Sequence, residues 1–114
     1  MLRNEGSLGK WSFGGESAHT EDHPPVFVTY PVQSGTGDMP PGMVLALDTN
    51  GEAGPYNGTG AVAGVNDMPY SAGDPVCTCL AHGAVKARLL VKDGGAELTF
   101  ADIQALRTIG VFPV

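Results

Sequence analysis

The chain has 114 residues, 42% of them hydrophobic, which is enough for one domain with a core and too short for two ordinary domains. Twelve acidic residues against six basic ones give a net charge of −6 without a basic stripe, which disfavours binding to nucleic acid or an anionic membrane. Seventeen glycines and nine prolines argue against a helical bundle and favour short strands joined by turns. No apolar run is long enough for a transmembrane helix, and the first residues lack the apolar region of a signal peptide.

Residues 1–25 are predicted to form an extended, flexible N-terminal arm that ends at Pro24-Pro25. The segment contains loose glycine clusters and has no sustained helix or strand periodicity. Isolated large apolar side chains in such a segment are typical of an arm that becomes ordered on a partner. Here they are Leu8, Trp11 and Phe13. Residues 26–114 are then the folded domain.

Short apolar segments after the arm predict strands. Val26–Tyr30 is β-branched and aromatic and lies between two prolines, which is typical of an edge strand. The other predicted strands are Met43–Leu47, Ala61–Val65, Val76–Leu80 and Ala84–Val91. A turn is expected at Asn50-Gly51, a turn-rich loop over residues 52–60, and a bulge or bend at Gly83.

One helix is predicted near the C-terminus, beginning after Thr99. Thr99 can accept a hydrogen bond at the helix start, and Asp102 stands where an acidic capping box needs it. The side chains expected to form the buried stripe are Phe100, Ile103 and Leu106. Gly110 suits the left-handed residue that ends a helix, and an extended tail is expected to follow.

Cys77, Cys79 and His82 are candidate metal ligands, because two cysteines at i and i+2 of a strand share a face. A structural zinc site needs four ligands, and the fourth would have to be His19 or His23 from the arm. The preferred interpretation is two reduced, buried cysteines that pack as small hydrophobic residues. No metal or cofactor is therefore expected.

No motif indicates catalysis. The sequence lacks a G-x-S-x-G nucleophile elbow, and Ser17 and His19 lie in the loose arm, where no preorganised pair is expected. Asn57-Gly58-Thr59 matches the glycosylation pattern but is interpreted as a chance match, since no secretion signal accompanies it. We therefore predict that the protein is not an enzyme.

From Met39 onward, the order of five segments resembles phage head decoration proteins of the lambda type. The first segment is a Pro/Gly loop that leads into a Val/Leu strand. It is followed by a Tyr/Gly segment, a small-residue strand with an acidic loop, a strand with a His-Gly-Ala-Val step and a closing helix. These segments are Met39–Asp48, Pro55–Gly58, Ala61–Asp67, Val76–Ala87, and Ile103, Leu106, Ile109, Gly110 and Val111. The chain departs from the family pattern in a short region between Val91 and Thr99 and in a longer N-terminal part.

The resemblance implies a small β-rich domain, tulip-like or barrel-like, with one short C-terminal helix and an extended arm. It implies trimers at local threefold axes on the outside of the expanded phage head, where they reinforce the shell against packaged DNA. The expected partners are the major capsid protein and two further copies of this chain. The expected location is the outer surface of the virion, after synthesis in the bacterial host cytoplasm.

The expected capsid contacts combine the arm with the first strand. These residues are Leu8, Trp11, Phe13, Val26, Phe27, Val28, Thr29 and Tyr30. Two alternatives stay open: a structural adaptor of a phage tail or fibre, which would share the β-rich composition, and a small metal-binding protein that uses Cys77, Cys79 and His82.

Overall fold

The computed structural model describes residues 17–20 and 24–114. In these ranges the chain forms six strands of one sheet and one α-helix, so the predicted mainly β class is confirmed. The strands are β1 (Val26–Pro31), β2 (Val44–Leu47), β3 (Ala53–Pro55), β4 (Val62–Asn66), β5 (Val76–Val85) and β6 (Val111–Pro113). The α-helix is α1 (Phe100–Thr108), and short 3-10 turns lie at Ala87–Leu89 and Asp93–Gly95.

The long strand β5 organises the sheet. The strand order is β1-β5-β4-β2-β3 with antiparallel neighbours, and β6 pairs in parallel with the end of β5 at Gly83–Val85. Val26 lies opposite His82 and Phe27 opposite Leu80, so Ala81 is an extra residue in β5. Such a bulge bends the strand and increases its twist, which allows one strand to serve partners at both of its ends.

The two outer strands of this order, β1 and β3, meet at one end of the sheet. After β1, the backbone N–H of Val32 donates to Pro75 O at 3.1 Å, on the β5 side. The next N–H, of Gln33, donates to Ala53 O of β3 at 2.9 Å. The sheet therefore curls into a barrel that is joined across β1 and β3 at this end.

Side chains from the two faces of the curled sheet form two apolar clusters. Neighbouring residues of a strand point to opposite faces, so Val44 and Leu80 join one cluster while Leu45 and Cys79 join the other. The buried members of the inner cluster are Met39, Met43, Leu45, Ala53, Tyr70, Cys77 and Cys79. The buried members of the second cluster, which packs with α1 and β6, are Ala18, Val44, Tyr56, Val65, Leu80, Val85, Leu90, Leu106 and Val111.

The predicted capping of α1 is confirmed. Asp102 N–H donates to Thr99 Oγ1 at 3.2 Å, and Thr99 N–H donates to Asp102 Oδ2 at 2.8 Å. Gly110, with φ of 92°, follows the last helical turn as predicted.

The predicted buried stripe of α1 is wrong at Phe100, which is 75% exposed. Leu106 is fully buried and Ile103 partly so, but Asp102 is also buried. The buried face is therefore centred between Asp102 and Leu106. At 3.6 residues per turn, Phe100 lies about two-fifths of a turn away from that centre.

The sequence prediction is also wrong about the end of one strand and about one loop. The strand predicted at Ala84–Val91 ends at Val85, because the chain turns through the 3-10 residues Ala87–Leu89 before Val91 bonds to Gly42. The loop predicted over residues 52–60 contains β3, which pairs with Leu45–Leu47 of β2. The sequence did not predict β3 because it contains Gly54 and Pro55, and glycine and proline are depleted in strands.

Candidate functional site: the outer edge of β1

The five strand residues predicted to contact a capsid form most of β1, an edge strand of the sheet. Val26 is 52% exposed and Phe27 is 42% exposed, and the side chains of the two residues lie on opposite faces of the strand. The three predicted contact residues of the arm, Leu8, Trp11 and Phe13, lie outside the described residues.

Backbone alternation determines which groups of β1 face away from the sheet. Val32 N–H points towards β5 and Gln33 N–H points away from it. Along a strand these directions alternate, so the residues opposite Cys79 and Cys77, which are Val28 and Tyr30, bond to β5. The backbone groups of Phe27 and Thr29 face outward. Within the described ranges, no strand pairs with them.

The outer edge of β1 carries few of the features that usually prevent strand pairing. Exposed edges are commonly protected by charged side chains, prolines or bulges. The sequence of β1 contains no charged residue, and its one proline, Pro31, stands at the end that meets β3. Phe27 and Thr29 can therefore accept an added strand, with Val26 and Phe27 offering apolar contacts on either face.

A docked segment lies immediately upstream of this edge. Ala18 is fully buried, and Thr20 N–H donates to Ala84 O while Lys86 N–H donates to Ala18 O. The ring of His19 stands edge-on to Phe27, with ring centroids 5.1 Å apart. Packing onto the domain thus begins before residue 26, inside the range predicted as the arm.

Asp67 holds this segment in place. Its Oδ1 lies 2.9 Å from both the backbone N and the ring Nδ1 of His19. Sequence reasoning missed this pair, because 48 residues separate the two. Asp67 directly follows β4, and the only sequence feature noted there was that it begins an acidic loop.

The predicted metal candidates occupy different surroundings. Cys77 and Cys79 are free thiols in the inner cluster, on the same face as predicted. Burial raises the pKa of Cys77, and it raises the pKa of Cys79 to about 12, so both thiols are protonated at neutral pH and are poor nucleophiles. The ring of His82 stands edge-on to Phe112. In the described part of the chain, no three His, Cys, Asp or Glu residues are grouped to hold a metal ion.

No helix among the described residues is both long and apolar enough to cross a membrane. A scan of protein-family models found no matching family, and a search of curated proteins found no match.

Proposed function

We propose that this protein decorates the outside of a phage head, binds the expanded capsid and stabilises it against the pressure of packaged DNA. The order of segments that resembles lambda-type decoration proteins supports this, as does the small β-rich domain. The observation that carries the proposal is the outer edge of β1, which no strand of the described residues covers, with the outward backbone of Phe27 and Thr29 beside exposed Val26.

In this proposal an extended segment of the major capsid protein adds to β1. Each backbone hydrogen bond formed across the edge contributes about 1 kcal/mol net. Phe27 and Thr29 alone therefore give weak binding. The arm residues Leu8, Trp11 and Phe13 add apolar anchors, and three copies in a homotrimer raise the effective concentration of each edge at the capsid.

Preference for the expanded head explains stabilisation without catalysis. A ligand that binds one state of a two-state shell shifts the equilibrium towards that state by mass action. The capsid segments that pair with β1 would be accessible only after expansion. Each bound trimer then makes reversal of expansion less favourable.

The outward N–H of Thr29 provides a test with a matched control. Thr29→Pro removes this donor but leaves the bonds that Val28 and Tyr30 make to β5, whereas Thr29→Val keeps both. Wild type and Thr29→Val are expected to co-sediment saturably with expanded heads and not with unexpanded heads. Thr29→Pro is expected to bind about tenfold more weakly, as loss of one or two hydrogen bonds predicts.

Circular dichroism should show that all three proteins are folded. Equal binding by Thr29→Pro and Thr29→Val would exclude the outer edge of β1 as the contact. If folded wild-type protein binds neither form of the head, the decoration function is wrong, and binding to purified tails would then favour the adaptor alternative.

A further inference from the structure

The dipeptide Asn-Gly occurs twice in exposed turns, at Asn50-Gly51 and at Asn57-Gly58. In this dipeptide the backbone nitrogen of glycine can attack the side-chain carbonyl carbon of asparagine, because no side chain on glycine blocks the approach. The two copies have the same local chemistry. Their surroundings in the fold are opposite.

Asn57 has its side-chain carbonyl polarised by Thr59. Asn57 Oδ1 accepts hydrogen bonds from the backbone N–H of Thr59 at 3.0 Å and from Thr59 Oγ1 at 2.8 Å. These bonds join the side chain of Asn57 to residue 59, so that the carboxamide spans Gly58 in the chain. They also point two donors at the oxygen on which negative charge develops when a nucleophile adds to Cγ, as in an oxyanion hole.

The attacking nitrogen of Gly58 is also favourably placed. Within the described residues, Gly58 N–H donates to no acceptor. The ammonium group of Lys92 lies 3.6 Å from the position that a Cβ of Gly58 would occupy. This ammonium group is paired with Asp102 Oδ2 at 2.8 Å, and it is the positive member of the pair that lies near Gly58. A positive group at this position favours loss of the amide proton, which is needed before the nitrogen can attack.

Asn50 lacks all of these features. Gly51 N–H donates to Asp48 O at 3.1 Å, so the nitrogen is already engaged in the turn. The carboxylate of Asp48 accepts from Asn50 N–H and Glu52 N–H, which places a negative charge beside Gly51. In the described part of the chain, no donor bonds to the side-chain oxygen of Asn50.

We propose that Asn57 is a site of spontaneous self-modification, assisted by Thr59 and Lys92. Gly58 N loses its proton to solvent and forms a bond to Asn57 Cγ. The bond from Cγ to the side-chain nitrogen breaks, and ammonia leaves with a proton from water. The resulting succinimide takes up one water molecule and opens to aspartate or isoaspartate. No oxidant, reductant or cofactor takes part.

The product has a local consequence. The reaction adds a carboxylate at position 57, next to Gly58, and Lys92 Nζ lies 3.6 Å from the position that a Cβ of Gly58 would occupy. In the unmodified protein this Nζ is 2.8 Å from Asp102 Oδ2. Residue 57 then competes with Asp102 for this ammonium group. Since Asp102 caps α1, modification is expected to loosen the start of the helix.

The test compares the two sites within one molecule. Folded protein is incubated in mildly alkaline buffer, and peptide mass mapping follows amide-to-acid conversion at Asn50 and Asn57. Asn57 is expected to convert at least about tenfold faster, because two donors polarise its side-chain carbonyl and removal of even one such donor typically slows an acyl reaction more than about tenfold. In urea-unfolded protein the two rates should converge, because the difference belongs to the fold.

Thr59 variants separate its hydroxyl group from its bulk. Thr59→Val should slow conversion of Asn57 several-fold, whereas Thr59→Ser should keep the wild-type rate. The proposal is wrong if Asn50 converts as fast as Asn57 in the folded chain, or if the rate ratio persists after unfolding. It is also wrong if Thr59→Val converts at the wild-type rate.

Discussion

Asp67 Oδ1 receives two contacts from His19, one from the backbone N and one from the ring Nδ1, each at 2.9 Å. Asp67 is only 3% exposed, and its own N–H donates to Thr78 O of β5. The pair thus joins the segment before β1 to the loop after β4. Because His19 also touches Phe27, it places the start of the candidate edge against the rest of the sheet.

We predict that Asp67→Ala lowers the free energy of unfolding by about 1–3 kcal/mol, the usual cost of leaving a buried donor without an acceptor. His19→Ala should cost less, since it keeps the backbone hydrogen bond to Asp67. Urea denaturation measures both, with Asp93→Asn at an exposed position as the control. A wild-type denaturation midpoint for Asp67→Ala would show that the pair contributes nothing.

Asp102 should make stability depend on pH. The hydrogen bond from Lys92, and then that from Thr99 N–H, hold the pKa of the Asp102 carboxyl below its ordinary value of 3.8. The folded pKa is lower than the unfolded one, so the stabilisation is present above the unfolded pKa and is lost as pH falls through the folded pKa.

Asp102→Asn cannot titrate at this position and is expected to be less stable than wild type at neutral pH. The difference between the two proteins should shrink as pH falls below about 4. Lys92→Met removes the largest cause of the lowered pKa of Asp102. As pH falls, this variant should therefore lose the stabilisation from the ionised Asp102 at a higher pH than the wild-type protein does. Thermal unfolding across an acid pH series measures these changes, and a difference independent of pH would contradict the assignment.

The cysteines should resist thiol reagents in the folded protein. The thiolate is the reactive form, and burial raises the pKa of Cys79 to about 12 and that of Cys77 in the same direction. At neutral pH we expect little reaction with Ellman's reagent until urea unfolds the chain, when both thiols react. Rapid labelling of the native protein would show that the inner cluster opens.

Gly110 should tolerate alanine less well than Gly94 does. Both residues have positive φ, 92° and 78°, so alanine at either position costs about 1–2 kcal/mol. At Gly110 a Cβ would also overlap the ring of His82, whereas at Gly94 it would meet open space. Chemical denaturation should show the larger loss for Gly110→Ala, and adding His82→Ala should recover part of it. Equal losses would show that the ring moves aside freely.

Deleting residues 1–16 tests the arm without removing the docked segment. The truncated protein retains Ala18 and His19, so it should unfold at nearly the wild-type urea concentration. It lacks Leu8, Trp11 and Phe13, and we therefore expect weaker binding to expanded heads. Unchanged binding in the sedimentation assay would restrict the proposed contact to the domain.

Local chemistry in the sequence was enough to predict several elements. Prolines around Val26–Tyr30 predicted an edge strand, since proline cannot donate to a ladder. Thr99 and Asp102 predicted the start of α1 because a capping box uses only neighbouring residues. Gly110 predicted its end because the position needs a left-handed backbone.

Elements whose stability depends on distant partners were predicted poorly. The strand β3, with its Gly54 and Pro55, has weak strand propensity and forms because β2 lies beside it. The exposure of Phe100 depends on which side of α1 meets the sheet. Asn50 and Asn57 differ in their surroundings because Asp48 lies beside the first and Lys92 lies near the second. Lys92 is distant from Asn57 in sequence, so no local pattern predicts this difference.

By itself, the sequence determined the mainly β class, the edge strand and the capped helix, because turn residues, strand propensities and caps act over a few residues. Only the tertiary structure decided that β1 meets β3 at one end and that, among residues 17–20 and 24–114, no strand pairs with Phe27 and Thr29. It also decided that Asp67 holds His19 beside this edge. Both results come from the bend of β5 and the pairing of segments far apart in the chain, which no local pattern encodes.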